Sequence, residues 1–134
     1  TGPRAICLDG GGIKGLVEIV VLSHLVRMVG VPVHELFDVI GGTSTGGILA
    51  IAFGAMRMAP EEALFMYQKL TTRIFERHGL SRIMPEVVLY AMGHDILSNQ
   101  ALQEDLTENF GGSQATFGDH CQLPKFFVTA FDVI

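Results

Sequence analysis

Phe37-Asp38-Val39-Ile40-Gly41-Gly42-Thr43-Ser44-Thr45-Gly46-Gly47-Ile48-Leu49-Ala50 reads as a short apolar strand, a corner crowded with glycine, and an apolar helix. In a strand–turn–helix setting of this kind the serine of G-x-S-x-G becomes a nucleophile. The corner forces the serine into a cramped backbone conformation, so its hydroxyl projects from the sheet end instead of packing. Glycines are required on both sides, because a Cβ there would collide with the neighbouring strand and helix. The helix that follows points its positive end at the serine oxygen, which favours an alkoxide or a tetrahedral oxyanion. Without that context, Ser44 is an ordinary turn serine.

Working outward, a second glycine cluster lies near the N-terminus. Ala5-Ile6-Cys7-Leu8 reads as a buried strand, followed by Asp9-Gly10-Gly11-Gly12-Ile13-Lys14-Gly15 and a long apolar stretch. Consecutive glycines between strand and helix leave main-chain N–H groups bare, able to cradle an anion. Such donors make an oxyanion hole, and losing one typically costs about 2.7–4 kcal/mol of barrier. Three other readings stand beside this one. Gly10-x-Gly12-x-x-Gly15 also fits a dinucleotide loop, which needs an acidic residue at the end of the second strand to hold a ribose. That strand ends in Ile40-Gly41-Gly42, with Asp38 inside it, so the acid that reading needs is missing from the strand end. A Walker A loop fails because Lys14 is followed by Gly15. A purely structural glycine loop is the third. Asp9 is expected to organise its own loop by accepting N–H bonds. Lys14 either anchors the loop or attracts an anionic head group.

Together, Asp9-Gly-Gly-Gly-Ile-Lys-Gly15 and Gly42-Thr-Ser-Thr-Gly46 resemble the motifs of the patatin-like phospholipases, including the calcium-independent phospholipase A2 group. The resemblance runs from about Arg4 to Ile134. It implies Ser44 as nucleophile and the amides of Gly11 and Gly12 as the oxyanion hole. Asp9, Gly10, Lys14, Gly15, Gly42 and Gly46 would be supporting motif positions. It also implies a Ser–Asp dyad without histidine, whose aspartate lies in a downstream Asp-Gly-Gly or Asp-Gly-Ala. Here Asp95, Asp105, Asp119 and Asp132 are followed by Ile, Leu, His and Val. The chain is therefore expected to be the N-terminal part of a patatin-like domain, truncated before its base and inactive by itself. The implied substrate is a phospholipid or glyceride ester, with no cofactor and no calcium. The rival expectation is a catalytically silent module that keeps the pocket as a lipid-binding or interaction surface.

Composition fits that frame. At 134 residues the chain is one domain at most, and its 49% hydrophobic content suits a buried parallel sheet flanked by helices. A net charge of −5 argues against nucleic acid as a partner and leaves peripheral membrane contact open. Cys7 and Cys121 do not make a disulfide framework, and Cys7 is expected to be an inert core thiol. No C-x-x-C or H-E-x-x-H is present, so no metal site is expected. Asp95 and His120 follow Ser44 in the order of a Ser-Asp-His triad, while Asp119 abuts His120 and would share one turn with it; no motif supports a histidine in that role, and the histidines are expected on the surface or in loops. The expected location is cytoplasmic or at a membrane surface.

The elements predicted outward from the elbow alternate, giving an α/β fold with a parallel (mixed) sheet flanked by helices. Leu16–Val29 holds ten apolar residues of fourteen, six of them β-branched. Propensity alone would allow a strand there. Its length and its place after a glycine loop predict a helix, apolar nearly all round and therefore buried. Gly30 stops it, a helical turn covers 33–36, and the helix after Ser44 is predicted to reach about Met56. Ala59-Pro60-Glu61-Glu62 starts a helix that runs to about Arg77, stopped by Gly79. Ser98 caps a helix over 99–109, closed by Gly111-Gly112, and a last strand follows Pro124. Lys69, Arg73 and Arg77 recur every fourth residue, turning only about 40° per step, so they form one basic stripe on the helix. The ordinary reading is a solvated edge; the sharper one is phospholipid head-group contact, extended by Arg82.

Overall fold

The structure is a computed structural model and describes residues 2–76, 99–112, 114, 116, 118 and 124–129. Three strands, β1 (Ala5–Leu8), β2 (Val39–Thr43) and β3 (Lys125–Thr129), form one parallel sheet in the order β1-β2-β3. Between β1 and β2 run a 3-10 turn (Gly12–Lys14), α1 (Gly15–Val29) and α2 (Val33–Leu36). Beyond β2 come α3 (Thr45–Ala50), a wide π turn (Ile51–Ala55), α4 (Pro60–Glu76) and α5 (Asn99–Asn109). The α/β class and the parallel pairing agree with the sequence reading.

Local chemistry sets the helix ends. Gly30 adopts φ 73°, and its N–H closes α1 on the carbonyl of Val26 at 2.8 Å. At the start of α4, the Glu62 carboxylate accepts the N–H of Ala59 at 2.8 Å, an orphan donor that would otherwise face solvent alone. The helix after Ser44 does run on almost to Met56, but its last turn is widened, with Met56 N–H bonded to Ile51 C=O at 3.0 Å. Gly54 lies in that turn because Phe126 of β3 stands 2.9 Å from where its Cβ would be. Past α5, Gly111 and Gly112 both have positive φ, as a helix stop requires. Gly79 and Ser98, expected to end α4 and cap α5, lie outside the described residues.

Alternation along the strands sorts the two sheet faces. The rows Ile6–Ile40–Phe126 and Leu8–Gly42–Val128 turn toward the helices. There Leu8 and Ile40 pack with Ile19 and Leu22 of α1, Leu49 of α3, Phe53 of the π turn and Tyr67 of α4. Each such side chain, fully buried, contributes roughly 1.5–3 kcal/mol. The row Cys7–Gly41–Phe127 faces away. Phe127 lays its ring over Gly41, and Cys7 is exposed. The expected burial of Cys7 is therefore corrected: among the described residues β1 pairs on one side alone, and Cys7 points to the face that no described helix covers.

A second correction concerns α1. It is a helix, as its length predicted, but only one stripe of it is buried, at Gly15, Ile19 and Leu22. Val17, Val20, Val21 and Met28, all between 59% and 73% exposed, share the opposite face. Apolar residues all round the helix did not mean burial all round, because among the described residues α1 packs chiefly on α4 from one side.

Candidate active site

Parallel pairing brings the two glycine segments together. Leu8 pairs with Gly42, so the chain leaves β1 at Asp9-Gly10 beside its exit from β2 at Thr43-Ser44. The approach is close enough that a Cβ on Gly10 would stand 3.0 Å from the Ser44 Cβ, 3.1 Å from the Thr43 carbonyl oxygen and 3.8 Å from the Ser44 Oγ. Glycine at 46 lets the first turn of α3 sit against the end of β1. A Cβ there would strike the Leu8 carbonyl and lie 2.6 Å from that of Asp9. Glycine at 42 admits the same turn to β2, where a Cβ would lie 2.7 Å from the nitrogen of Gly47.

Ser44 itself has φ 54° and ψ −122°, a region costing of order 1–3 kcal/mol for a residue with a side chain. It is exposed. Its carbonyl accepts the N–H groups of Gly47 at 2.9 Å and Ile48 at 3.3 Å, so the strained residue is also where α3 begins. Next to it the hydroxyls of Thr43 and Thr129 share a hydrogen bond of 2.6 Å across the ends of β2 and β3.

In the glycine loop, Gly11 has φ 153° and Gly12 φ 58°, values that residues with a Cβ rarely adopt. Lys14 N–H closes the 3-10 turn on Gly11 C=O at 3.2 Å, and the Lys14 stem folds back within 3.4 Å of the Gly11 Cβ position. Two side chains that the sequence reading missed meet this loop from below. The Glu18 carboxylate, one turn into α1, accepts Asp9 N–H at 2.7 Å. The fully buried Tyr67 of α4 donates its hydroxyl hydrogen to Gly12 C=O, and Gly15 leaves room for that hydroxyl. Burial pushes the Glu18 carboxyl up; the Asp9 N–H bond offsets part of this and the Asp9 carboxylate adds a smaller push. Burial also pushes the Tyr67 phenol up, opposed by the Thr45 hydroxyl and helped by the charge of Glu18. The available signals were slight: a lone acid in an apolar helix, and a tyrosine among the apolar positions of α4.

Other candidate residues do not join this cluster. Asp38 sits at the far end of β2, where its carboxylate takes Arg4 N–H at 2.7 Å and pairs with the Arg4 guanidinium at 3.3 Å. Lys69 pairs with Glu108 of α5 at 3.6 Å. Arg73 lies on α4, the placement of its side chain falls outside the description, and Arg77, Arg82, Asp95, His120 and Asp132 lie outside the described residues. Among the described residues, no helix is long and apolar enough to cross a membrane, and no three His, Cys, Asp or Glu side chains converge on one point.

Fold and loops together define an α/β domain in which a G-x-S-x-G corner and a glycine-rich loop emerge side by side from neighbouring parallel strands. The model of the family described as "Patatin-like phospholipase" matches residues 6–120, and the chain belongs to that family. It is 46% identical over 74 residues, 55% of its length, to "Phospholipase A I" of Arabidopsis thaliana. Over 84% of its length it is 34% identical to "Calcium-independent phospholipase A2-gamma" of Oryctolagus cuniculus. Over 87% it is 37% identical to the "cGAMP-activated phospholipase" of Pseudomonas aeruginosa. The matched regions are 6%, 14% and 33% of those three proteins, so the chain spans a minor part of each. No solved structure matches it at a significant level.

Proposed function

We propose that the complete protein is a lipid acyl hydrolase acting on ester bonds of phospholipids or glycerides, with Ser44 as its nucleophile. Ser44 Oγ attacks the ester carbonyl carbon and passes its proton to an aspartate of a downstream Asp-Gly-Gly or Asp-Gly-Ala motif, which residues 45–134 do not supply. The amides of Gly11 and Gly12 hold the oxyanion, the alcohol leaves with a proton, and water then cleaves the acyl-serine. Each amide donor aimed at that oxygen is worth about 2.7–4 kcal/mol of barrier. The observation that carries this reading is the packing of Gly10 against Ser44, which sets a glycine loop beside a strained, exposed serine. Relatives whose names specify phospholipases supply the substrate class. Contact with a lipid surface, through Lys69, Arg73 and Arg77 among others, belongs to the same proposal, with Lys69 sharing its charge with Glu108.

A fluorophosphonate probe tests it on the complete protein. Labelling that disappears in Ser44→Ala is the expected result. A folded protein that the probe leaves unlabelled would overturn the hydrolase and leave a lipid-binding module.

A further inference from the structure

The glycine loop has little holding power of its own. Gly10, Gly11 and Gly12 carry no side chain, and ordering each such residue costs roughly 1–2 kcal/mol of chain entropy. Yet amide donors help a reaction only when their direction is set before the charge develops. Something outside the loop has to set it.

Two side chains do this from opposite ends. Glu18 takes the N–H of Asp9, the first residue of the loop, at 2.7 Å. Tyr67 holds the carbonyl of Gly12, the last glycine of the run, from a site with no solvent exposure. The Gly11 and Gly12 amides lie between these two pins. The other Glu18 oxygen is buried without a hydrogen-bond partner, so among the described residues the hydrogen bond of this half-buried carboxylate is the one it makes to the loop. Tyr67 likewise does more than fill space. Its hydroxyl occupies the volume that a Cβ on Gly15 would need, so loop, α1 and α4 fit around that oxygen.

We infer that Glu18 and Tyr67 are positioning residues of the acyl-transfer site: they hold the loop from Asp9 to Gly12 so that the Gly11 and Gly12 amides face the oxygen bound at Ser44. The inference rests on the hydrolase reading above. Neither residue touches the substrate, and neither belongs to the two glycine motifs.

The test compares Glu18→Ala, Glu18→Gln and Tyr67→Phe in the complete protein. It reads kcat and KM on a phospholipid ester, the rate of fluorophosphonate labelling of Ser44, and the melting temperature. Glu18→Ala and Tyr67→Phe should lower kcat and the labelling rate by about ten- to a hundredfold, as a misplaced donor does, with KM nearly unchanged. Glu18→Gln keeps an oxygen for Asp9 N–H and should stay within roughly threefold of the parent, since the donors keep their geometry. Should Tyr67→Phe fold poorly, the two Glu18 variants decide alone. Parent-like kcat and labelling in Glu18→Ala, whatever its melting temperature, would overturn the inference and leave the hydrolase reading standing. Glu18→Gln as slow as Glu18→Ala would overturn it too. A parent protein that is not labelled at all would remove the hydrolase reading and this inference with it.

Discussion

Gly46 lies directly against the main chain of Asp9: a Cβ at position 46 would come within 2.6 Å of the Asp9 carbonyl oxygen, with the Leu8 carbonyl nearer still. The serine corner and the glycine loop are therefore joined by backbone contact. Backbone of a paired strand cannot swing aside as a side chain can. Gly46→Ala should destabilise the domain by about 1–3 kcal/mol, the usual cost of overpacking. Denaturant unfolding of the parent and the variant measures it, and an equal midpoint would show that the two loops are not in backbone contact.

Neighbouring glycines of β2 should differ in tolerance. At Gly42 a methyl group meets the main chain of Gly46 and Gly47, whereas at Gly41 it meets the Phe127 ring, which is 46% exposed. The ring can turn outward. Gly42→Ala should therefore cost about 1–3 kcal/mol and Gly41→Ala less than about 1 kcal/mol. Equal losses on thermal unfolding would contradict this account of the two faces.

Ser44 stores strain that glycine would release. Its φ of 54° with ψ −122° costs of order 1–3 kcal/mol with a Cβ present. Against that, glycine adds roughly 0.5–1 kcal/mol of chain entropy. Ser44→Gly should abolish probe labelling and yet raise stability by about 1 kcal/mol. A variant less stable than the parent would mean that the corner is not strained.

Acid should weaken the clamp at the opposite end of the sheet. Hydrogen bonds from the Arg4 guanidinium and main chain hold the Asp38 carboxyl below the usual aspartate range. A lowered folded-state pKa contributes stability above the unfolded pKa and loses it as pH falls through the folded value. Asp38→Asn should thus be less stable than the parent at neutral pH, with the gap closing as aspartate protonates. A gap that stays constant down the pH range would place its origin in something other than this charge.

Much of the architecture could be read along the chain. Gly30, Pro60 with its two following acids, and Gly111-Gly112 each mark a helix end through their own backbone chemistry, and each lies where expected. The pairing of the two glycine motifs was legible for the same reason, since parallel strands joined by a helix deliver their following loops to one sheet edge. Burial was harder to read. Cys7 sits in an apolar strand and α1 is apolar nearly all round, yet each has an exposed side. Composition records what could be buried; which neighbours cover it is settled elsewhere in the chain. Lys69 belongs to the basic stripe by spacing, while its pairing with Glu108 depends on how α5 lies beside α4.

Short-range order therefore settled the elements of this protein, its α/β class and the two corners where glycine is needed, because helix stops, turns and a left-handed φ depend on a few adjacent residues. Folding in three dimensions decided that Glu18 and Tyr67 meet Asp9 and Gly12. Those hydrogen bonds join residues 9 and 55 positions apart. No local preference specifies such a pair; it exists only because α1 and α4 pack together beneath the loop.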